Sequence, residues 1–432
     1  MLREMPKITT GEFIHIEDAH GVSSFVHDKN GLKVLVMPKS ELPVIGTMIT
    51  YHVGSRHELP GHTGATHILE HVMFKGSEKF DPKKGNGTWQ LLEKKGSQGN
   101  ATTWCDRTNY YWVSPVSLFK DALSIEADRM RNILLRAEDL ASEMTVVRNE
   151  YESGENDPHH RMGKLAWYEA FTLHPYRIPT IGTKEDIEAI SVEKLKKFYD
   201  TFYWPNNATL SIVGDISVKD ALAEAAETFG RLPDKEITEP PFFHEPPQEG
   251  ERQFELERKG TVNAVMLCFK APAGLHPDSY AVSAVAALLG AGKSSLLYRE
   301  LVDTGLAVDV SVEYPRFKDP SLVEIYIPLA ENVPHKKVEE VVNGIIEKVR
   351  NENIQETALK RVKTYLASEY AYGMSSVSGI LSALNEGIAR GSWHDAFEFI
   401  ERLNAVNRED VRKVAQNYFS SKNQTLGRMH AV

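Results

Sequence analysis

The chain has 432 residues, 41% of them hydrophobic and 25% charged, and a net charge of −10. That length exceeds one ordinary core and calls for two or three domains, and the composition is that of a folded globular protein. The acidic balance argues against a nucleic-acid-binding surface, no apolar run reaches the roughly 18 residues of a membrane helix, and only two cysteines fit a reducing compartment. The N-terminus has no apolar signal core, so the expected location is the cytoplasm, or the periplasm if a leader is missing.

In chain order, residues 32–37 (LKVLVM) form the first clear strand pattern. Residues 65–73 follow with apolar side chains at Ala65, Ile68, Leu69, Val72 and Met73, which is the stripe of an amphipathic helix. Gly64 and Gly76 bracket it, and Gly76 suits a left-handed C-cap. The opposite side carries His67, Glu70 and His71. Together they read H-x-x-E-H, the inverted form of the H-E-x-x-H zincin signature. Histidines at i and i+4 lie one turn apart and can grip one metal ion. Glu70 between them can act as base toward a water there.

Catalytic zinc keeps three protein ligands and a water, so a third ligand is needed. Two cysteines cannot supply it in any familiar spacing, so a carboxylate is expected. Residues 100–103 and 109–113 have β-propensity, and residues 139–152 read as a helix with Asp139 as N-cap. Glu143 and Glu150 stand seven apart on one face of that helix. A solvated acidic face is the usual fate of such glutamates, and spacing alone leaves both readings open.

Residues 232–252 are rich in proline and acids and read as an extended, solvated linker. Either side of it carries an echo. ISVEKLKK at 190–197 and FYWPNNATL at 202–210 return as VNREDVRK at 406–413 and YFSSKNQTL at 418–426, at a constant offset of 216. A repeated helix–turn–strand ending predicts two copies of one fold. The expected domains are therefore 1–231, with the metal kit, and 253–432, without it. The expected class is α+β, each domain a mostly antiparallel sheet with helices packed on it. Residues 290–295 (GAGKSS) imitate the end of a phosphate loop, but Ala287 stands where the full pattern needs glycine, and a helical run precedes it.

The chain resembles the pitrilysin/insulinase family of inverted-motif zinc metallopeptidases. The resemblance rests on the motif and on blocks in family order: VGSRHE at 53–58, FKGS at 74–77, GNATT at 99–103, HPY at 174–176, IGT at 181–183 and PNNATL at 205–210. It is weaker in the second half, through SSLLY at 294–298 and GLA at 305–307. The family places a metal-binding Glu well beyond the second histidine, with another Glu seven residues before it. Glu150, 79 residues after His71, and Glu143 match.

The resemblance implies two homologous α/β-roll domains and Zn2+ held by His67, His71 and Glu150. Glu70 becomes the catalytic base, and Glu143 a second catalytic-site carboxylate that orients a ligand. The strand with Asn100, Ala101 and Thr102 becomes a substrate-binding edge. Active members carry an Arg and a Tyr around a Gly-Leu-Ala-like stretch in the second half. Here the Arg position falls at Leu301 or Val302 and the Tyr position at Val308. That departure predicts a paralogous partner subunit supplying the pair, as in the mitochondrial processing peptidase. The non-enzymatic alternative is a structural or peptide-binding subunit of the same family.

Overall fold

The computed structural model describes residues 9–40, 43–238, 244–260 and 262–432. Residues 1–8 and 239–243, which include the N-terminal segment and the middle of the Pro-rich stretch, lie outside the described residues.

Two compact units result. The first holds Met1–Tyr151, Pro179–Pro241 and Gly373–Ala396. Its sheet is built from β1 (Thr9–Thr10), β2 (Phe13–Ala19), β3 (Val22–His27), β4 (Lys33–Pro38), β5 (Val44–Tyr51), β6 (Gln98–Thr103), β7 (Thr108–Pro115) and β8 (Ala208–Gly214). The strand order is β1-β2-β3-β4-β8-β5-β7-β6, so β6 is an edge. Only β4 and β8 run parallel. All seven residues of β8 are buried, as expected of a central strand covered on both faces. On one face Ile45, Ile49 and Tyr51 join the core with Ile68, Leu69, Leu123 and Val147. On the other, Gly46 lies against the helix Val377–Arg390. A Cβ there would sit 2.4 Å from Val377 and 2.6 Å from Leu381, so only glycine admits so close a helix.

The second unit holds Glu152–Ile178, Phe242–Tyr372 and Phe397–Val432. Its strands are β9 (Arg252–Arg258), β10 (Ala264–Ala271), β11 (Ser311–Glu313), β12 (Ser321–Pro328) and β13 (Gln424–Ala431), in the order β11-β12-β10-β13-β9. Here β13 and β9 form the one parallel pair. The order β4-β8-β5-β7-β6 of the first sheet is thus repeated as β9-β13-β10-β12-β11.

The echo read from sequence has its physical basis here. The helix Val192–Phe202 leads into β8, and the helix Arg408–Tyr418 leads into β13, with both helix bounds and the strand starts displaced by 216. Ser191 and Asn407, also 216 apart, cap the two helices with their side chains. The class is α+β, in two units that each pack helices on a mixed sheet.

Local expectations needed adjustment. The helix of residues 139–152 runs from Ala137 to Asn156, and Asp139 bonds Arg136 instead of capping. The motif helix stops at Val72, ahead of Gly76. The Pro-rich stretch is not solvated throughout. Arg252 opens β9, and Glu245 accepts the backbone N–H groups of Thr172, Leu173 and His174 and the Lys270 ammonium at 2.8–3.1 Å. Membership of the units does not follow chain order either. The helix Pro158–Ala170 belongs to the second unit and Val377–Arg390 to the first.

Candidate metal centre

The helix Ala65–Val72 buries Ala65, Ile68, Leu69 and Val72, which leaves His67, Glu70 and His71 partly buried on the far side. Its start is tightly built. Gly64 takes φ of 86°, and a Cβ there would lie 2.5 Å from the Ile181 carbonyl oxygen. The Glu58 carboxylate accepts from Gly64 N at 2.8 Å and Thr66 N at 2.7 Å, satisfying two N–H groups at the helix start. Burial pushes the Glu58 carboxyl up to about 7, against those hydrogen bonds. The same segment grips the β6–β7 hairpin. Ser55 N donates to Trp104 O at 3.1 Å, Arg56 N to Cys105 O at 3.0 Å, and Thr108 Oγ1 to Val53 O at 2.9 Å. Residues 53–58 therefore tie the motif helix to the edge strand.

The helix Ala137–Asn156 brings the other carboxylates. Glu150 Oε2 lies 3.5 Å from Nε2 of His67 and 3.5 Å from Nε2 of His71. The three residues can each offer a ligand atom within 4.8 Å of the others. A tetrahedral ion with bonds of about 2.1 Å sets its ligand atoms about 3.4 Å apart, which the two histidine–Glu150 spacings match. Burial and the neighbouring His71 hold the His67 imidazole down at about 4, neutral and able to donate a lone pair at neutral pH. His67 Nδ1 is buried without a hydrogen-bond partner, so its Nε2 is the nitrogen placed to ligate.

Two turns earlier on the same helix, Glu143 is buried. Its Oε2 lies 3.0 Å from His71 Nδ1, and its Oε1 is 2.5 Å from Lys75 Nζ. Glu143 thus fixes which His71 nitrogen faces Glu150. Glu70 accepts a hydrogen bond from the hydroxyl of Thr103, the last residue of β6. Burial raises the Glu70 carboxyl, and the Thr103 hydrogen bond opposes that shift.

The residues singled out in sequence therefore fall in one place. His67, His71 and Glu150 converge, Glu143 backs His71, and Glu70 stands next to them facing β6. Asn100 and Thr102 are exposed on that edge strand, while Ala101 is buried and gives its N–H to Asn100 Oδ1 at 2.9 Å. In the second unit Leu301 is buried and Val308 is 65% exposed, with no side-chain donor at either position.

Two family descriptions match the chain. "Insulinase (Peptidase family M16)" matches residues 38–184, and "Peptidase M16 inactive domain" matches residues 189–366. The chain belongs to the pitrilysin/insulinase family. Among its relatives is the zinc protease PqqE of Helicobacter pylori, 26% identical, with 97% of this chain and 95% of that one aligned. The zinc protease YmxG of Bacillus subtilis, described as uncharacterized, is 24% identical over 91% of this chain and 94% of its own. The crystal structure of a protease from Helicobacter pylori superposes with a TM-score of 0.88 at 26% identity, covering 93% of this chain and 98% of that one.

Three residues that touch this cluster or cap its helix were not assigned roles from sequence. Lys75 lies past the end of the motif helix, so helical spacing from His71 does not signal its pairing with Glu143. Glu58 caps from six and eight residues upstream, outside the usual capping-box spacing. Thr103 reaches Glu70 from β6, 33 residues along the chain, where no local spacing signals it.

Proposed function

We propose that the chain is a zinc-dependent endopeptidase that hydrolyses peptides or unfolded polypeptide segments, in a chamber formed with a second subunit. The observation that carries this reading is the convergence of His67, His71 and Glu150 beside Glu70. His67, His71 and Glu150 would hold the zinc. Zinc bound there supplies a Lewis acid that lowers the pKa of water and polarises a peptide carbonyl. Glu70 takes the proton of the attacking water and passes it to the leaving amine. The Thr103 hydroxyl holds the Glu70 carboxylate in place for both transfers. Glu143 steadies His71 through Nδ1, and the Lys75 ammonium balances its charge. The substrate backbone adds as a strand along β6 at Asn100, Ala101 and Thr102, since that edge has no strand beyond it.

The partner in this reading is a paralogue carrying the Arg and Tyr that Leu301, Val302 and Val308 replace. Both cysteines are free and buried, which supports the cytoplasm as the compartment. Among the described residues no helix is long and apolar enough to cross a membrane. The same replacements favour a second reading, a non-catalytic structural or peptide-binding subunit. Zinc content together with a Glu70→Gln variant separates the two. The peptidase reading expects one zinc per chain in both proteins, and peptide hydrolysis at least about 10²-fold slower in the variant. Wild-type chain without stoichiometric zinc, or hydrolysis unaffected by Glu70→Gln, sinks it.

A further inference from the structure

The side chain of Arg107 lies almost wholly out of solvent, yet it is not in the apolar core. It sits behind the edge strand. Its Nη1 donates to the Thr102 carbonyl at 3.0 Å, to Thr102 Oγ1 at 2.6 Å and to Asn109 Oδ1 at 3.2 Å. Its Nε and Nη2 donate to Glu386 Oε1 at 3.2 and 2.6 Å. Glu386 comes from the helix Val377–Arg390, some 280 residues further along the chain. That helix is seated by the Gly46 contact. Asn385, next to Glu386, accepts from Thr50 Oγ1 of β5 at 2.9 Å and donates to Glu386 Oε1 at 3.2 Å. A continuous line therefore runs from the docked helix through Glu386 and Arg107 to Thr102. Thr103, the next residue, carries the hydroxyl that holds Glu70.

We propose that Arg107 and Glu386 form a positioning latch, which fixes the substrate edge strand against Glu70 from a helix supplied by the other half of the sequence. The proposal rests on the peptidase reading for its substrate, an extended peptide chain. Arg107 is a positioning residue and not a catalytic one, because it acts through Thr102 and Thr103. The planar guanidinium is what the geometry demands. One face of donors holds a strand carbonyl and hydroxyl while the other holds a carboxylate, and a lysine ammonium cannot span both. A pair that merely glued helix to sheet would need only opposite charges, and the orientation of donors toward Thr102 would be immaterial.

The test uses the full chain with Arg107→Met, the milder Glu386→Gln, and the charge swap Arg107→Glu with Glu386→Arg. Amide exchange over residues 99–103 reads the strand without requiring activity. Peptide hydrolysis at constant zinc content reads the consequence. In Arg107→Met, exchange in that strand quickens about tenfold or more, and KM for an extended peptide rises about tenfold with kcat within about threefold. Glu386→Gln moves both in the same direction by less. The swap stays at the Arg107→Met level, because a glutamate at position 107 has no proton for the Thr102 carbonyl. Wild-type exchange and KM in Arg107→Met overturn the latch, and so does recovery of both by the swap. If the wild-type chain carries no stoichiometric zinc, the peptidase reading fails, and the exchange measurements still decide whether the latch exists.

Discussion

At the level of single residues, the site divides by how far its parts stand apart along the chain. His67, Glu70 and His71 were legible because one helical turn places them together, whatever the rest of the fold does. Glu150 and Glu143 became legible only through their seven-residue interval and the family spacing. If His71 ligates zinc, its contact with Glu143, which also pairs with Lys75, makes a specific demand on zinc affinity. Removing a carboxylate that orients a ligating histidine lowers metal affinity by about 10–100-fold. Glu143→Ala should fall in that range in a chelator competition, with the melting temperature of the metal-free protein little changed. Glu143→Gln should fall less, because the amide oxygen still accepts from Nδ1–H while the Lys75 pair is lost. Equal zinc affinity in all three proteins would show that Glu143 does not act through His71. Thr103 was not legible, because its contact with Glu70 exists only once β6 is laid at the edge of the sheet.

At the level of elements, repetition was easy to read and exchange was not. The helix–strand endings at 192–214 and 408–431 share caps, spacing and sheet position, so sequence similarity survived in them. The helices Pro158–Ala170 and Val377–Arg390 leave no mark of which unit they cover, since any amphipathic helix fits any apolar sheet face. The helix Pro158–Ala170 also conceals a titrating group. Trp167 Nε1 donates to Glu324 Oε1 of β12 at 2.9 Å, and burial pushes the Glu324 carboxyl up to about 7 from 4.5. Between those values the folded chain holds a proton that the unfolded chain releases. Stability therefore falls as pH rises from 4.5 through 7 and is then level. Glu324→Gln keeps an acceptor for Trp167 and removes the penalty. It should be more stable than wild type at pH 8 by about 2 kcal/mol, less than the full shift because the side chain is not wholly sealed. The gain should vanish near pH 4. A gain equal at both pH values would mean that packing, and not the proton, is responsible.

For the whole molecule, two copies of one strand order occur, and only the first carries the H-x-x-E-H helix. In the first copy β5 leads to the helix with His67, Glu70 and His71. In the second, β10 leads to the helix Asp278–Gly290, whose ten buried residues are small or apolar apart from Ser279 and Tyr280. That helix is wholly devoted to its core, so no metal kit can be hidden there. What the second copy gives related enzymes is a pair of hydrogen-bond donors, and here Leu301, Val302 and Val308 offer none from their side chains. Loss of one oxyanion donor costs about 2.7–4 kcal/mol of transition-state stabilisation, or about 10²–10³ in rate. The zinc-loaded chain alone should therefore cleave peptides slowly. Adding a paralogue that carries Arg and Tyr at the corresponding positions should raise kcat/KM by at least about 10²-fold, and changing that Tyr to Phe in the paralogue should remove much of the gain. Glu70→Gln in this chain should abolish activity of the mixture, because the peptidase reading puts the metal ligands and the base on this chain. If the chain alone matches the mixture, its own groups complete the oxyanion site, and the division of labour between two subunits is wrong.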